Sequence, residues 1–298
     1  MKRKFILGSA LIMLLYSCTN ENKSNENLMA ANVDTTTTVS KISDQALGDI
    51  IGSIPSPLEI SVLIKESGGG YDESILNSND HLSHYNTSFK RAMNLGIYGA
   101  DLGYINIYNK SSDAASYLYS IKELTDELNI GQFYDFATIQ RLATNSENVD
   151  SLLYITTSNF QKINNFLHEK KRSDQSVLIL TGGWIEALHI SAEIAKRNKN
   201  QSLYEKIGEQ KVVLDQILLL VSNFPKDPHM VNLYNDLKKL QKVYNQIQIT
   251  YTYQESTMEE RDGVLVIVDK SESKVNVTEE QINEISNLVE QIRGKVTA

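Results

Sequence analysis

Residues 227–251 read DPHMVNLYNDLKKLQKVYNQIQITY, and within them Met230, Leu233, Leu237, Leu240, Tyr244, Ile247 and Tyr251 recur at alternating steps of three and four. That spacing lines one side of an α-helix with apolar groups and predicts a seam packed along a neighbouring helix. Asp227 stands where an N-cap belongs, and Pro228 occupies the first helical position.

The same grammar repeats along the chain. The capping box Ser202-Leu203-Tyr204-Glu205 opens a helix expected to run to Asn223, and Ser56-Pro57-Leu58-Glu59 opens one that closes near Gly68. Apolar periodicity predicts further helices over Asn86 to Asn109, Ser112 to Asn129, Asn148 to Arg172 and Ser173 to Asn198, with a shorter one around Tyr134 to Thr144. Thr278-Glu279-Glu280-Gln281 caps a terminal helix over 278–294. All four prolines sit at or just before a helix start. Only 262–277 breaks the pattern: the β-branched run Val264 to Val268 follows Asp262-Gly263 and is expected to pair across Ser271 to Ser273 with Val275 to Val277. The fold expected is mainly α, a multi-helix bundle of about eight to nine helices with a small β-hairpin near the C-terminus.

The first residues carry a different signal. Lys2, Arg3 and Lys4 precede an apolar stretch from Phe5 to Tyr16 that is too short to span a bilayer, and Leu15-Tyr16-Ser17-Cys18 has the form of a lipobox. The expectation is a signal peptide over 1–17, removed to leave Cys18 as the first residue, carrying lipid and palmitate. Thr19 to about Asp49 is rich in Asn, Ser, Thr and Glu and poor in large apolar groups, which predicts a flexible tether over 18–49 and a single helical domain over 50–298. Within it Asp34-Thr35-Thr36 resembles a short acceptor pattern for O-linked sugar.

Cys18 is the one cysteine in 298 residues, so disulfides, thiolate catalysis and cysteine metal sites are excluded from the domain. The formal net charge is −8, and loss of the three basic residues of the signal would take it to −11. An acidic surface of that kind argues against nucleic acid as a partner.

Three strings, Ile54-Pro55-Ser56-Pro57-Leu58-Glu59, Thr87-Ser88-Phe89 through Asn94-Leu95-Gly96-Ile97-Tyr98-Gly99-Ala100-Asp101-Leu102-Gly103-Tyr104, and Gly182-Gly183-Trp184-Ile185-Glu186-Ala187-Leu188, resemble an uncharacterised family of helical predicted lipoproteins from Bacteroidota. The resemblance runs from about Ile54 onward. It implies an envelope location and a helical fold, and it brings no activity with it.

On a helical wheel Phe89, Ala92, Gly96, Gly99, Ala100, Gly103 and Ile107 share one narrow side. Three glycines inside a helix cost about 1 kcal/mol each, which calls for an offset. Close packing of another helix is the expected offset, and a groove floor for a ligand is the alternative. Asp101 projects to the opposite side, with Lys90, Asn94 and Tyr108 nearby, and is expected on a solvated polar strip. In the Ser173 helix, Val177, Leu180, Trp184, Leu188 and Ala195 form the apolar side, while Gln175, Gly182, Glu186, His189, Glu193 and Arg197 are expected to face water.

Glu186 and His189 have the Glu-x-x-His spacing of di-iron bundles, but a second such motif is missing, so no metal is assigned. Nucleophile-elbow, zinc-protease, Walker and dinucleotide motifs are also missing, and no catalytic residue or cofactor is assigned. His81 and His84 read as loop residues, and the fifteen tyrosines as large core residues with hydroxyls at the rim. The function expected is that of a non-enzymatic binding or assembly module anchored in the envelope, outer membrane favoured and its side left open. Its partners would be the membrane, through the lipid, and an envelope protein or small ligand. The alternatives are an enzyme using Asp101 or Glu186, and a structural subunit of an envelope complex.

Overall fold

A computed structural model describes residues 42–54, 57–66, 68–137, 140, 149–261, 264–268 and 272–298. The signal segment, Cys18 and Asp34 lie outside the described residues, as do Ser56 and most of the short helix expected around Tyr134 to Thr144.

Among the described residues the chain is a mainly α bundle with a small antiparallel β element. The helices are α1 (Asp44–Ser53), α2 (Pro57–Glu66), α3 (Ser88–Ile107), α4 (Ser111–Glu127), α5 (Val149–Glu169), α6 (Ser173–Asn198), α7 (Gln201–Ser222), α8 (Pro228–Tyr244) and α9 (Glu279–Thr297). Local chemistry sets most of their ends. Thr87 caps α3 through Lys90 N, Asp227 caps α8 through His229 N, and Thr278 with Gln281 completes the capping box of α9. Gly68 ends α2 in the left-handed region at φ 80°, where a side chain would be strained.

Three boundaries depart from the expectation. α1 starts at Asp44, inside the stretch read as tether, because Ser43 caps it and Leu47 and Ile51 are buried in the core. α7 is capped by Asn200 rather than Ser202, its side chain accepting from Leu203 N. α8 stops at Tyr244, so Ile247 and Tyr251 leave the seam; Ile247 stays buried, whereas Tyr251 is exposed in a strand.

α6 is the axis. It packs against α2, α3, α5, α7 and α9, so nearly every position up to Ala195 is buried, including Gln175, Gly182, Glu186 and His189 of the side expected to face water, whereas Glu193 is half-buried and Arg197 exposed. It is the one helix among the described residues long and apolar enough to cross a membrane, but 94% of its most apolar window is buried in the bundle. Its closest contact is with α3. A Cβ on Gly96 would lie 1.9 Å from the Ile179 carbonyl oxygen, and one on Gly182 would lie 2.0 Å from that of Met93. Backbone meets backbone there, which offsets the cost of these two glycines.

The β element differs from the hairpin expected over 262–277. Strands β1 (Gln248–Thr252), β2 (Thr257–Arg261), β3 (Val264–Val268) and β4 (Glu272–Asn276) form two antiparallel pairs, β2 with β3 and β1 with β4. Val264 to Val268 therefore pairs backwards with β2 and not across Ser271 to Ser273. The two pairs follow one another along the chain, Thr252 facing Glu272 and Thr257 facing Val268, and are together called the ribbon. Arg261 faces Val264, and Asp262-Gly263 between them lie outside the described residues. The ribbon is rooted on α7, where Gly208 leaves room for Val275 and Val277; a Cβ there would approach their methyls to 2.6 and 2.5 Å.

Candidate functional site

The polar residues of the core converge on one place. Asn94, Tyr98 and Asp101 lie on one side of α3 at helical spacing, Glu186 and His189 come from α6, and Arg293 comes from α9. Asp101 and Glu186 are each 0% exposed. The solvated strips expected for both are thus corrected: three helices meet on those sides and exclude water.

Arg293 grips Glu186 with both arms of its guanidinium, Nε donating to Oε2 at 2.6 Å and Nη2 to Oε1 at 2.9 Å. Nη2 also donates to the Ile75 carbonyl at 3.3 Å, and His189 Nε2 lies 3.1 Å from the same oxygen, which makes Nε2 the protonated nitrogen. His189 Nδ1 is 3.1 Å from Glu290 Oε2 at the protein surface, without hydrogen-bond alignment. Burial by itself would lower the Arg293 pKa; the Glu186 charge and hydrogen bonds reverse that and hold the cation.

Asp101 is the odd member. Its Oδ2 accepts one bond from Asn77 N at 3.3 Å, and Oδ1 accepts none. Burial, and then the adjacent Glu186 charge, push its pKa well above the ordinary carboxylate value, with Arg293 and the Asn77 amide opposing less strongly. A proton on Asp101 lets it hydrogen-bond to Glu186 rather than repel it. The cluster then holds one cation, one anion and one neutral acid.

Phenols fasten the turn that covers this cluster. Tyr104 donates to the Gly70 carbonyl at 3.0 Å, Tyr98 to that of Ser78 at 2.9 Å, and Tyr117 to that of Asn77 at 3.0 Å. The tyrosines expected with hydroxyls at the rim are here buried and spend those hydroxyls on backbone. Trp184 is buried and donates to Gln210 Oε1 at 3.0 Å. His81 and His84 stack in a short 3-10 turn, as loop residues.

The small-residue side of α3 divides. Gly96, Ala100 and Gly103 are buried, whereas Gly99 is exposed with nothing within 4 Å of where its Cβ would be. Close packing is therefore the reading that holds at Gly96, and Gly99 does not belong to the packed face. Among the described residues no three His, Cys, Asp or Glu side chains come together as a metal site. The crevice between α2, α6 and α7, bounded by Leu63, Leu188, Ser191 and Gln210, has no acid or histidine on its wall.

The ribbon holds half of the large exposed hydrophobic residues among those described: Ile249, Tyr251, Tyr253, Met258 and Leu265. Their exposure ranges from 36% to 74%. No family model, curated protein or solved structure matches the chain.

Proposed function

We propose that the chain is a lipoprotein of the cell envelope, anchored through Cys18 and favouring the outer membrane, whose helical domain is a non-enzymatic binding or assembly module. One observation carries the binding half of this reading. The ribbon leaves both long edges without a strand partner among the described residues and exposes Tyr251, Tyr253, Met258 and Leu265, which is the form of a contact surface. The carboxylates weighed as catalytic acids, Asp101 and Glu186, lie sealed in the core, which supports a structural part for them. The contact surface is the ribbon rather than the Gly96 to Tyr104 side of α3, much of which α6 already covers.

Two readouts test the two halves. Labelled palmitate should enter the parent chain and not Cys18→Ser; equal labelling removes the anchor. A photo-crosslinking residue at Tyr253 should capture protein in intact cells, while one at the exposed Val212 of α7 should not. Equal yields from the two sites would refute the ribbon as the contact surface.

A further inference from the structure

The polar network of the core runs outward to the surface, and each amide on the way is held in one orientation. Asn94 Nδ2 donates to the carbonyls of Lys90 at 2.9 Å and Val296 at 2.8 Å, so Asn94 Oδ1 is left to accept from Asn77 Nδ2 at 3.3 Å. Asn77 Nδ2 also donates to the Tyr85 hydroxyl at 3.0 Å, which leaves Asn77 Oδ1, an atom that only accepts, 3.3 Å from His81 Nδ1. Nδ1 therefore carries the ring proton of His81. In the neutral imidazole Nε2 is then a bare lone pair, and it has no protein partner among the described residues.

Metal-binding histidines are prepared in the same way: the far nitrogen gives its proton to a carbonyl, and the near one is left basic and aimed. A second imidazole stands beside this one. His81 and His84 are three residues apart in the 3-10 turn Asn79–His84, a spacing that eclipses side chains, and their ring centroids are 5.8 Å apart with planes 17° from parallel. Two imidazoles sharing one ion, each bonded at about 2.0–2.1 Å, have centres about 5–6 Å apart. His81 is half-buried, whereas His84 is exposed and its ring makes no hydrogen bond among the described residues, so it is free to turn a nitrogen toward the same point. The turn itself is fastened from beneath. Tyr117 and Tyr98 hold the carbonyls of Asn77 and Ser78, and Ser120 donates to Asn79 Oδ1 at 2.5 Å, which reduces the ordering that a bound ion would have to impose.

We infer that His81 and His84 form a two-histidine site for a late divalent transition ion, copper(II) foremost, with water filling the remaining positions. Imidazole nitrogens suit such ions, and copper(II) heads their order of affinity, whereas magnesium and calcium require oxygen.

Copper(II) titrated into the full chain tests the site, with Cys18→Ser in every sample so that the one thiol takes no metal. The first equivalent should show nitrogen splitting in its paramagnetic resonance spectrum and should bind as one ion per chain by calorimetry; magnesium should give no heat. His81→Ala and His84→Ala should each weaken binding by no less than the loss of an outer-shell partner does, about 10–100-fold. His229→Ala, which removes a single exposed histidine stacked on Phe89, should leave the affinity unchanged. Nitrogen NMR of the metal-free chain should find the His81 proton on Nδ1. Unchanged affinity in His81→Ala or His84→Ala, a loss equal to theirs in His229→Ala, or a His81 proton on Nε2 overturns the proposal.

Discussion

Replacing Asp101 with Asn keeps the size of a protonated carboxyl and a donor toward Glu186 but leaves no proton to lose. In the parent protein Asp101 holds its proton above pH 3.8, where an unfolded chain has released it. Folding then binds a proton, and the stability this group contributes, full below the ordinary carboxylate range, drains away as pH rises toward the folded pKa. One proton is worth about 1.4 kcal/mol per pH unit, so each unit inside that window removes about that much. Against a domain stability of about 5–15 kcal/mol that is a large share.

The assay is chemical denaturation at a series of pH values for parent and Asp101→Asn, read as the difference between the two curves. Asp174 is also raised by burial, but it stands in both proteins and cancels. Asp72, held near 2 by bonds from Ser74 and Arg197, acts in the opposite sense at the acid end and cancels too. The parent's advantage over the variant should fall with pH and then level off. Parallel curves from pH 4 to 9 would refute the reasoning and mean that Asp101 does not carry the proton.

Arg293→Met should cost about 3–5 kcal/mol, since it strands Glu186 without a cation in a dry core, and the added Glu186→Met change should recover much of the loss; a urea midpoint for the single variant within about 1 kcal/mol of the parent would show that water reaches the pair. Gly96→Ala should destabilise by about 1–3 kcal/mol or more through overpacking against Ile179, whereas Gly99→Ala, which meets nothing within 4 Å, should be neutral or stabilise by up to about 1 kcal/mol. Equal effects of the two alanines on the melting temperature would contradict the described crossing of α3 and α6.

The helices were legible because their signals are local. Asp227 with Pro228, the Thr278 box and the three-four seam through Tyr244 all act within a turn or two, and all hold in the structure. What the sequence hid depends on distant partners. The wheel put Glu186 and His189 on a polar side, correctly, but a wheel cannot show that Arg293 waits 107 residues away to make that side an interior one. Gly99 failed for a geometric reason: at about 100° per residue it stands some 60° from Gly96, at the margin of the face rather than under the neighbouring backbone. The ribbon was half legible. Val264 to Val268 announces a strand, but Gln248–Thr252 continues the helical seam through Ile247 and Tyr251, so β1, the partner of β4, reads as helix.

The Glu186 to Arg293 pair also orders the events of folding. During synthesis α3, α6 and the turn at Ile75 all emerge before Arg293 does, so the acids must wait through the making of two more helices and the ribbon before their cation exists. Until α9 docks, one of the three helices that exclude water from Glu186 is missing, so the carboxylate keeps its water until its cation arrives. α9 therefore brings the cover and the countercharge together, and the cost of drying Glu186 is offset in the same step that incurs it.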